Sequence, residues 1–425
     1  MEKTITHLAL SELDGSVPSF PRSARRKEAH RLEWPLKEER FTNTTSHQTG
    51  APGRPGRIRQ VGLIVVAGAV LSWCAAASAR SQSPFDYFPT NGWRASSPEE
   101  QGLDRKRLKK LVKKIRRNDI SGIDSLLIVR NGYLVSESYF NGWGPDDLHT
   151  LQSDTKSITS LLVGIARQQG FISSVDQNVV SFFPEYPRIK RMDDRKAAMS
   201  LRDLLTMRTG FDWSEDPYEG SPLFQLNNCG CDWLKFTLDW RMREQPGTRF
   251  EYNSGGVILL GGVIRNVSAT PVDTFAQRYL FDPLGITRVR WYYGSPDNLP
   301  HMGGGLNLRP LDMAKIGYLV LRRGRWADQQ VVSEEWIAES LQHSVAYPRT
   351  FAGRPVDYGY LWWLLHIEGE VSGAPDGDIY TAAGAQGQWI FIIPKYDMVV
   401  VSTGSTAQFD KAVGFLYSDI LRAVN

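Results

Sequence analysis

The sequence predicts an α/β (α+β) fold in which one antiparallel sheet is flanked by helices and carries an inserted all-helical lobe. Three observations predict it. Near the start of the folded part, Asn131-Gly132 joins strand-like runs at 125–130 and 133–139. Both positions of such a two-residue turn need positive φ, which makes this a strong hairpin signal. Helical patterns fill the middle, at 158–169, 201–207, 233–240, 255–267 and 271–279. β-rich runs then return at 358–365, 388–393 and 398–404, before a closing amphipathic helix over 411–423. Strands that open and close a chain pair most simply in one sheet, leaving the helical middle as a second lobe with a cleft at the junction.

The N-terminal region has a different character. Residues 1–79 hold 11 Lys/Arg against 7 Asp/Glu, so the whole formal charge of +4 lies there, and 80–425 balance at 39 against 39. A balanced body gives no support for nucleic acid as a partner. The basic run Arg54-Pro55-Gly56-Arg57-Ile58-Arg59 leads into an uncharged stretch, 61–79, that ends in Ala77-Ser78-Ala79. Basic n-region, apolar h-region and A-x-A end together read as a secretory signal. Residues 1–60 are too long for an n-region. They are either a disordered extension or the result of a start set too far upstream, although the next methionine after Met1 is Met192. At 19 residues the stretch is also just long enough to span a bilayer, so a signal anchor is the alternative to a cleaved peptide. Its many Ala and Ser residues favour cleavage, and bulky Trp73 before Cys74 argues against lipid attachment. The expected location is periplasmic or secreted, with a tether at the inner membrane through 61–79 as the second outcome.

The remainder reads as an ordinary globular body. With 41% hydrophobic and 23% charged residues, bulk disorder and a multi-span membrane protein are both disfavoured. In the helix expected at 104–117, Leu108, Leu111, Val112 and Ile115 form one apolar face, and nine Lys/Arg form a solvated one. Cys229-Gly230-Cys231 is either a tight local disulfide or a pair of free thiols. Three cysteines cannot build a four-thiolate zinc site, and no His lies near this pair, so no metal or cofactor is expected.

Three segments carry residues suited to chemistry. Ser153-Asp154-Thr155-Lys156 precedes an apolar helical pattern. With Ser153 at the helix start, Lys156 lies one turn on and on the same face. Its ammonium can lower the pKa of neighbours or, once deprotonated, take the serine proton, while the helix N-terminus favours an oxyanion. Tyr252-Asn253-Ser254 follows the turn Pro246-Gly247-Thr248 and precedes a helix. Beside an ammonium a tyrosinate becomes accessible, so Lys156 and Tyr252 can share the role of general base. Tyr293-Gly294-Ser295 fits the same pattern without that context. The small-residue segment Ala382-Ala383-Gly384-Ala385-Gln386-Gly387-Gln388 leads into the strand at 388–393, where a substrate can lie against an edge and an amide can complete an oxyanion hole. His301, before Gly303-Gly304-Gly305, and Trp362, in the aromatic run 358–363, are further candidates for lining the cleft.

Taken in this order, the three segments resemble the serine β-lactamase and penicillin-binding-protein (DD-peptidase) family, nearest its class C and esterase branch. Leu204-Leu205-Thr206-Met207-Arg208-Thr209-Gly210, Pro246-Gly247-Thr248, Gly303-Gly304-Gly305-Leu306 with Asp312, and Gly387-Gln388 are similar to the 6-aminohexanoate-dimer (nylon-oligomer) hydrolases. The resemblance implies one domain over 84–425, its sheet lobe at 84–145 plus 300–425 and its helical lobe at 146–299. It implies Ser153 as acylated nucleophile, Lys156 as proton partner, Tyr252 as base, and the amides of Ser153 and Ala385 as oxyanion donors. Ser254, His301, Gly384, Gln386 and Trp362 are the expected substrate-binding positions. One departure matters. Where the β-lactamases open Lys-Thr-Gly with a cation this chain has Ala382, which puts efficient β-lactam hydrolysis in doubt.

The expected activity is hydrolysis of a small amide or ester substrate. A Ser-His-Asp mechanism fits less well, since the chain contains no Gly-x-Ser-x-Gly and keeps only His149, His301, His343 and His366 after residue 79. A non-catalytic penicillin-binding or cell-wall-ligand-binding protein of the same fold is the alternative. The motifs leave the substrate and the oligomeric state open.

Overall fold

Asn131 and Gly132 adopt φ values of 52° and 74°, as the hairpin signal requires, and they join β1 (Ile123–Arg130) to β2 (Tyr133–Tyr139). The computed structural model describes residues 87–367, 378–406 and 408–425. The expectations for an extension, signal or anchor at 1–79 lie outside these residues. Six further strands complete the large sheet: β3 (Val345–Phe351), β4 (Arg354–Tyr358), β5 (Trp363–His366), β6 (Asp378–Gly384), β7 (Gln388–Ile393) and β8 (Met398–Gly404). They run in the order β2-β1-β8-β7-β6-β5-β4-β3, and every neighbouring pair is antiparallel. The chain therefore starts the sheet, leaves it, and returns to pair β8 with β1. This is the antiparallel sheet with flanking helices that the sequence predicts.

All residues of β7 and β8 are buried. Both faces of these strands are covered, which is why 389–393 and 398–401 read as unbroken apolar runs and not as alternating ones. The helices that position the site are α1 (Arg105–Arg116), α2 (Asp154–Gln168), α3 (Ser254–Ser268), α4 (Pro310–Leu321) and α5 (Asp410–Phe415). Leu108, Leu111 and Ile115 of α1 are buried, leaving its basic faces in solvent. α2 packs against α3 on one side and against β6 and β7 on the other, while α4 lies across β1, β7 and β8. Among the described residues no single helix is long and apolar enough to cross a membrane.

Several boundaries differ from the expectation. The run at 358–365 is two strands, β4 and β5, broken where Leu361 takes φ 63°. β3 and β6 were not expected at all. Pro348 and Arg349 interrupt the apolar pattern of β3, and the Ala and Gly of β6 have low strand propensity. Each becomes a strand because a neighbour supplies its ladder: Phe351 pairs with Arg354, and 380–384 pair with 388–392. The closing helix expected over 411–423 is α-helical only to Phe415, then widens into a π-turn at Leu416–Ile420 and tightens at Leu421–Ala423. Cys229 and Cys231 form a disulfide, which resolves the two readings of that pair.

Candidate active site

α2 begins at Ser153, whose side chain caps no backbone amide. This is unusual for serine at a helix N-cap, where the hydroxyl ordinarily accepts an orphan N–H. Here Lys156 Nζ lies 3.1 Å from Ser153 Oγ and donates at 2.6 Å to the Gly303 carbonyl. Gln152, just before the serine, is held at φ 48°. A residue with a Cβ pays strain for such a conformation, and strain of this kind collects where the fold must aim a side chain.

Tyr252 closes the group from the other side. Asn253 caps α3 by accepting the Gly256 amide at 2.9 Å, which fixes the chain entering the helix and with it Tyr252. The phenol shares a hydrogen bond with Ser153. Its ring lies 4.7 Å from Lys156 Nζ and stacks on Trp363 with centroids 5.9 Å apart. Ser153, Lys156 and Tyr252 are thus in mutual contact although 96 residues separate Lys156 from Tyr252.

The electrostatics separate the two candidate bases. Burial lowers the Lys156 pKa to about 8, against the opposing pull of Glu215. Burial pushes the Tyr252 phenol well above its ordinary value, and the Ser153 hydrogen bond offsets only part of that. Lys156 is therefore the group that can lose a proton near neutral pH, while Tyr252 keeps its own. Asp154, beside the serine, is fully buried with no hydrogen-bond partner among the described residues, and burial raises its pKa strongly. Burial thus disfavours a negative charge beside the positive end of α2.

Glu215 is a site residue that the sequence reading missed. It accepts from the Ser254 amide at 2.5 Å, the Ser254 hydroxyl at 3.0 Å and the Trp213 indole at 2.9 Å. Burial raises its pKa and Lys156 opposes this. No spacing marks it: it sits in a loop, and only the fold brings it to Ser254. Ser254, expected at the substrate, has its hydroxyl committed to this carboxylate.

The segment at 382–388 also differs in shape from the expectation. Ala382–Gly384 end β6, and 385–387 form the turn into β7. Gly384 is required by close approach, since a Cβ there would lie 2.3 Å from the Leu151 carbonyl and 3.2 Å from Asp154 Oδ1. The end of β6 is therefore pressed against the start of α2. Ala385, the first residue beyond the last ladder pair, Gly384 with Gln388, is exposed at that junction, and Gln386 follows at φ 66°. The Ser153 amide donates to no carbonyl among the described residues.

Two expected lining residues are not at the surface of the site. Trp362 is fully buried. It precedes β5 instead of lying in it, and a shift of one residue on a strand reverses the face. Trp363 is the tryptophan beside Tyr252, with Tyr347, Phe351 and Tyr358 around it. His301 is buried edge-on to Trp233 at 5.2 Å. Burial and the nearby Lys156 lower its pKa to about 3, so it is a neutral packing group under Gly303–Gly305.

Comparison with known proteins places the chain in a family. The chain is 24% identical over 298 residues to the 6-aminohexanoate-dimer hydrolase of Paenarthrobacter ureafaciens, covering 66% of this chain and 72% of that one. The fold matches EstCE1, a hydrolase with promiscuous acyltransferase activity, with a TM-score of 0.61 at 18% identity over 75% of this chain and 98% of that one. It also matches the octameric penicillin-binding protein homologue from Pyrococcus abyssi, with a TM-score of 0.57 at 21% identity over 75% and 77% of the two chains. The Beta-lactamase family model matches residues 105–413, most of the chain, and the protein belongs to that family.

Proposed function

We propose that the protein is a serine hydrolase that cleaves a small amide or ester through an acyl-enzyme on Ser153. The observation that carries this reading is the uncapped Ser153 hydroxyl 3.1 Å from a buried lysine whose pKa is lowered to about 8. Neutral Lys156 takes the Oγ proton as Oγ bonds to the substrate carbonyl carbon. The resulting oxyanion is held by the amides of Ser153 and Ala385 at the positive end of α2. Tyr252, a phenol at rest, donates its proton to the departing nitrogen or oxygen and recovers one from Lys156. Water then attacks the ester and returns a proton through the same pair, which restores Ser153 and releases the acid.

Ala382, at the strand position where β-lactamases carry a cation, is buried and uncharged. That favours neutral acyl groups over β-lactams, and the aromatic wall around Trp363 favours apolar ones. The disulfide and the apolar stretch at 61–79 support export to an oxidising compartment.

A fluorophosphonate probe should label the wild type and not Ser153→Ala. Tested on nitrocefin, p-nitrophenyl butyrate and a linear aminohexanoate dimer, the variant should lose on the order of 10³-fold or more in kcat/KM on whichever substrate turns over. Equal, slow turnover by both proteins on the whole panel would sink the hydrolase reading in favour of a binding protein of the same fold.

A further inference from the structure

Far from Ser153, the pairing of β3 to β6 assembles a second group of side chains. His366 and Asp378 are direct cross-strand partners on β5 and β6. Asp357 on β4 pairs with Leu364, two residues from His366, and so shares its face. His343 precedes β3, and the adjacent Ser344 amide donates to the Tyr358 carbonyl at 3.1 Å, which anchors the histidine over the same face. His343 Nε2 lies 2.8 Å from Asp378 Oδ2, His366 Nδ1 lies 2.9 Å from Asp378 Oδ1, and His343 Nδ1 lies 2.7 Å from Asp357 Oδ2. The two imidazoles are stacked with centroids 5.3 Å apart.

We propose that His343, His366 and Asp378 form a binding site for one divalent transition metal of the zinc class, with Asp357 orienting His343. Two imidazoles and a carboxylate are a donor set suited to such an ion, and three protein ligands leave a fourth position for water. One ligand atom from each residue lies within 4.8 Å of the others. A tetrahedral ion with bonds near 2.0–2.1 Å needs its ligands roughly 3.4 Å apart, so the widest separation, up to 4.8 Å, must close while the His–Asp378 contacts at 2.8 and 2.9 Å open slightly. Asp378 is buried while both histidines are partly exposed, which gives the ion a floor and an entry.

The hydrogen bonding accommodates an ion as well as a set of internal ion pairs. Both nitrogens of His343 face carboxylate oxygens, which an imidazolium meets with two N–H groups and a neutral imidazole with only one. A metal on Nε2 leaves Nδ1–H for Asp357, the arrangement in which a carboxylate behind a ligating histidine fixes its tautomer and raises its basicity. The expectation of no metal rested on the cysteines. The histidines escaped it because strand register, not sequence spacing, brings them together. Asp378 opens β6 and Ala385 follows its other end, about 20 Å away at strand rise, so the ion would tie the outer strands together and take no part at Ser153.

The test is metal retention by the purified full-length protein. After equilibration with Zn²⁺ and gel filtration, the wild type should keep about one equivalent of zinc by elemental analysis, and His343→Ala, His366→Ala and Asp378→Asn should each bind at least about ten-fold more weakly. The Co²⁺ form should show d–d absorption bands that Zn²⁺ abolishes. Less than about a tenth of an equivalent in the wild type, or equal affinity in the variants, overturns the proposal. If a variant does not fold, the Co²⁺ spectrum of the wild type decides alone: no bands, no site.

Discussion

Three lysines are buried among the described residues, and they sit in two different settings. Lys196 donates to the carbonyls of Lys190, Leu238 and Trp240 at 2.6–2.9 Å, and Lys315 to those of Thr90, Leu284 and Gly285 at 3.0–3.3 Å. Each is a cation used to gather loop carbonyls that would otherwise be buried unpaired. Lys156 gives one bond to a carbonyl and turns another toward a serine hydroxyl. Burial lowers both Lys156 and Lys196 to about 8, so a depressed pKa does not distinguish them. What distinguishes them is the neighbour. A carbonyl accepts a hydrogen bond and has no proton to exchange, whereas a serine does.

The contrast can be broken by parallel substitution. Lys156→Met should cost on the order of 10³-fold in kcat/KM, like loss of the serine, with modest change in thermal stability. Lys196→Met should do the reverse. It takes the donor from one buried and two partly buried carbonyls, a loss of about 2 kcal/mol or more in stability, while the folded fraction keeps its kcat/KM. If Lys196→Met abolished turnover without unfolding, the division into catalytic and structural lysines would fail.

A smaller effect sharpens the role of Glu215. Its carboxylate raises the Lys156 pKa against burial, so removing the charge should let that pKa fall further. Activity that needs neutral Lys156 rises with pH through about 8. In Glu215→Gln this rise should move to lower pH, with the kcat plateau reduced far less than in Lys156→Met. A pH profile superimposable on the wild type would show that Glu215 holds Ser254 and does nothing for the lysine.

Legibility in the sequence followed locality. The hairpin at Asn131-Gly132, the one-turn spacing of Ser153 and Lys156, and the turn-and-helix setting of Tyr252 depend on residues close in the chain, and each could be read directly. The positions that could not be read depend on pairing at a distance. β6 is a strand because β5 and β7 flank it, Trp363 and not Trp362 faces Tyr252 because the expected run at 358–365 is broken and β5 begins only at Trp363, and Glu215 reaches from a loop to Ser254 at the start of α3. His343, His366 and Asp378 are the extreme case, since they have no common motif and share only a sheet face.

The alanine at 382 has a consequence for how substrate arrives. Without a cation at that position, β6 offers an incoming molecule backbone hydrogen bonds and shape, neither of which reaches beyond contact distance. Capture of a neutral ester should therefore be indifferent to ionic strength, with kcat/KM nearly flat as added salt shortens the Debye length from about 30 Å to about 3 Å. A steep decline would mean that charges elsewhere on the protein draw the substrate in. A flat response would describe an enzyme that waits for its substrate and selects it only once it has docked.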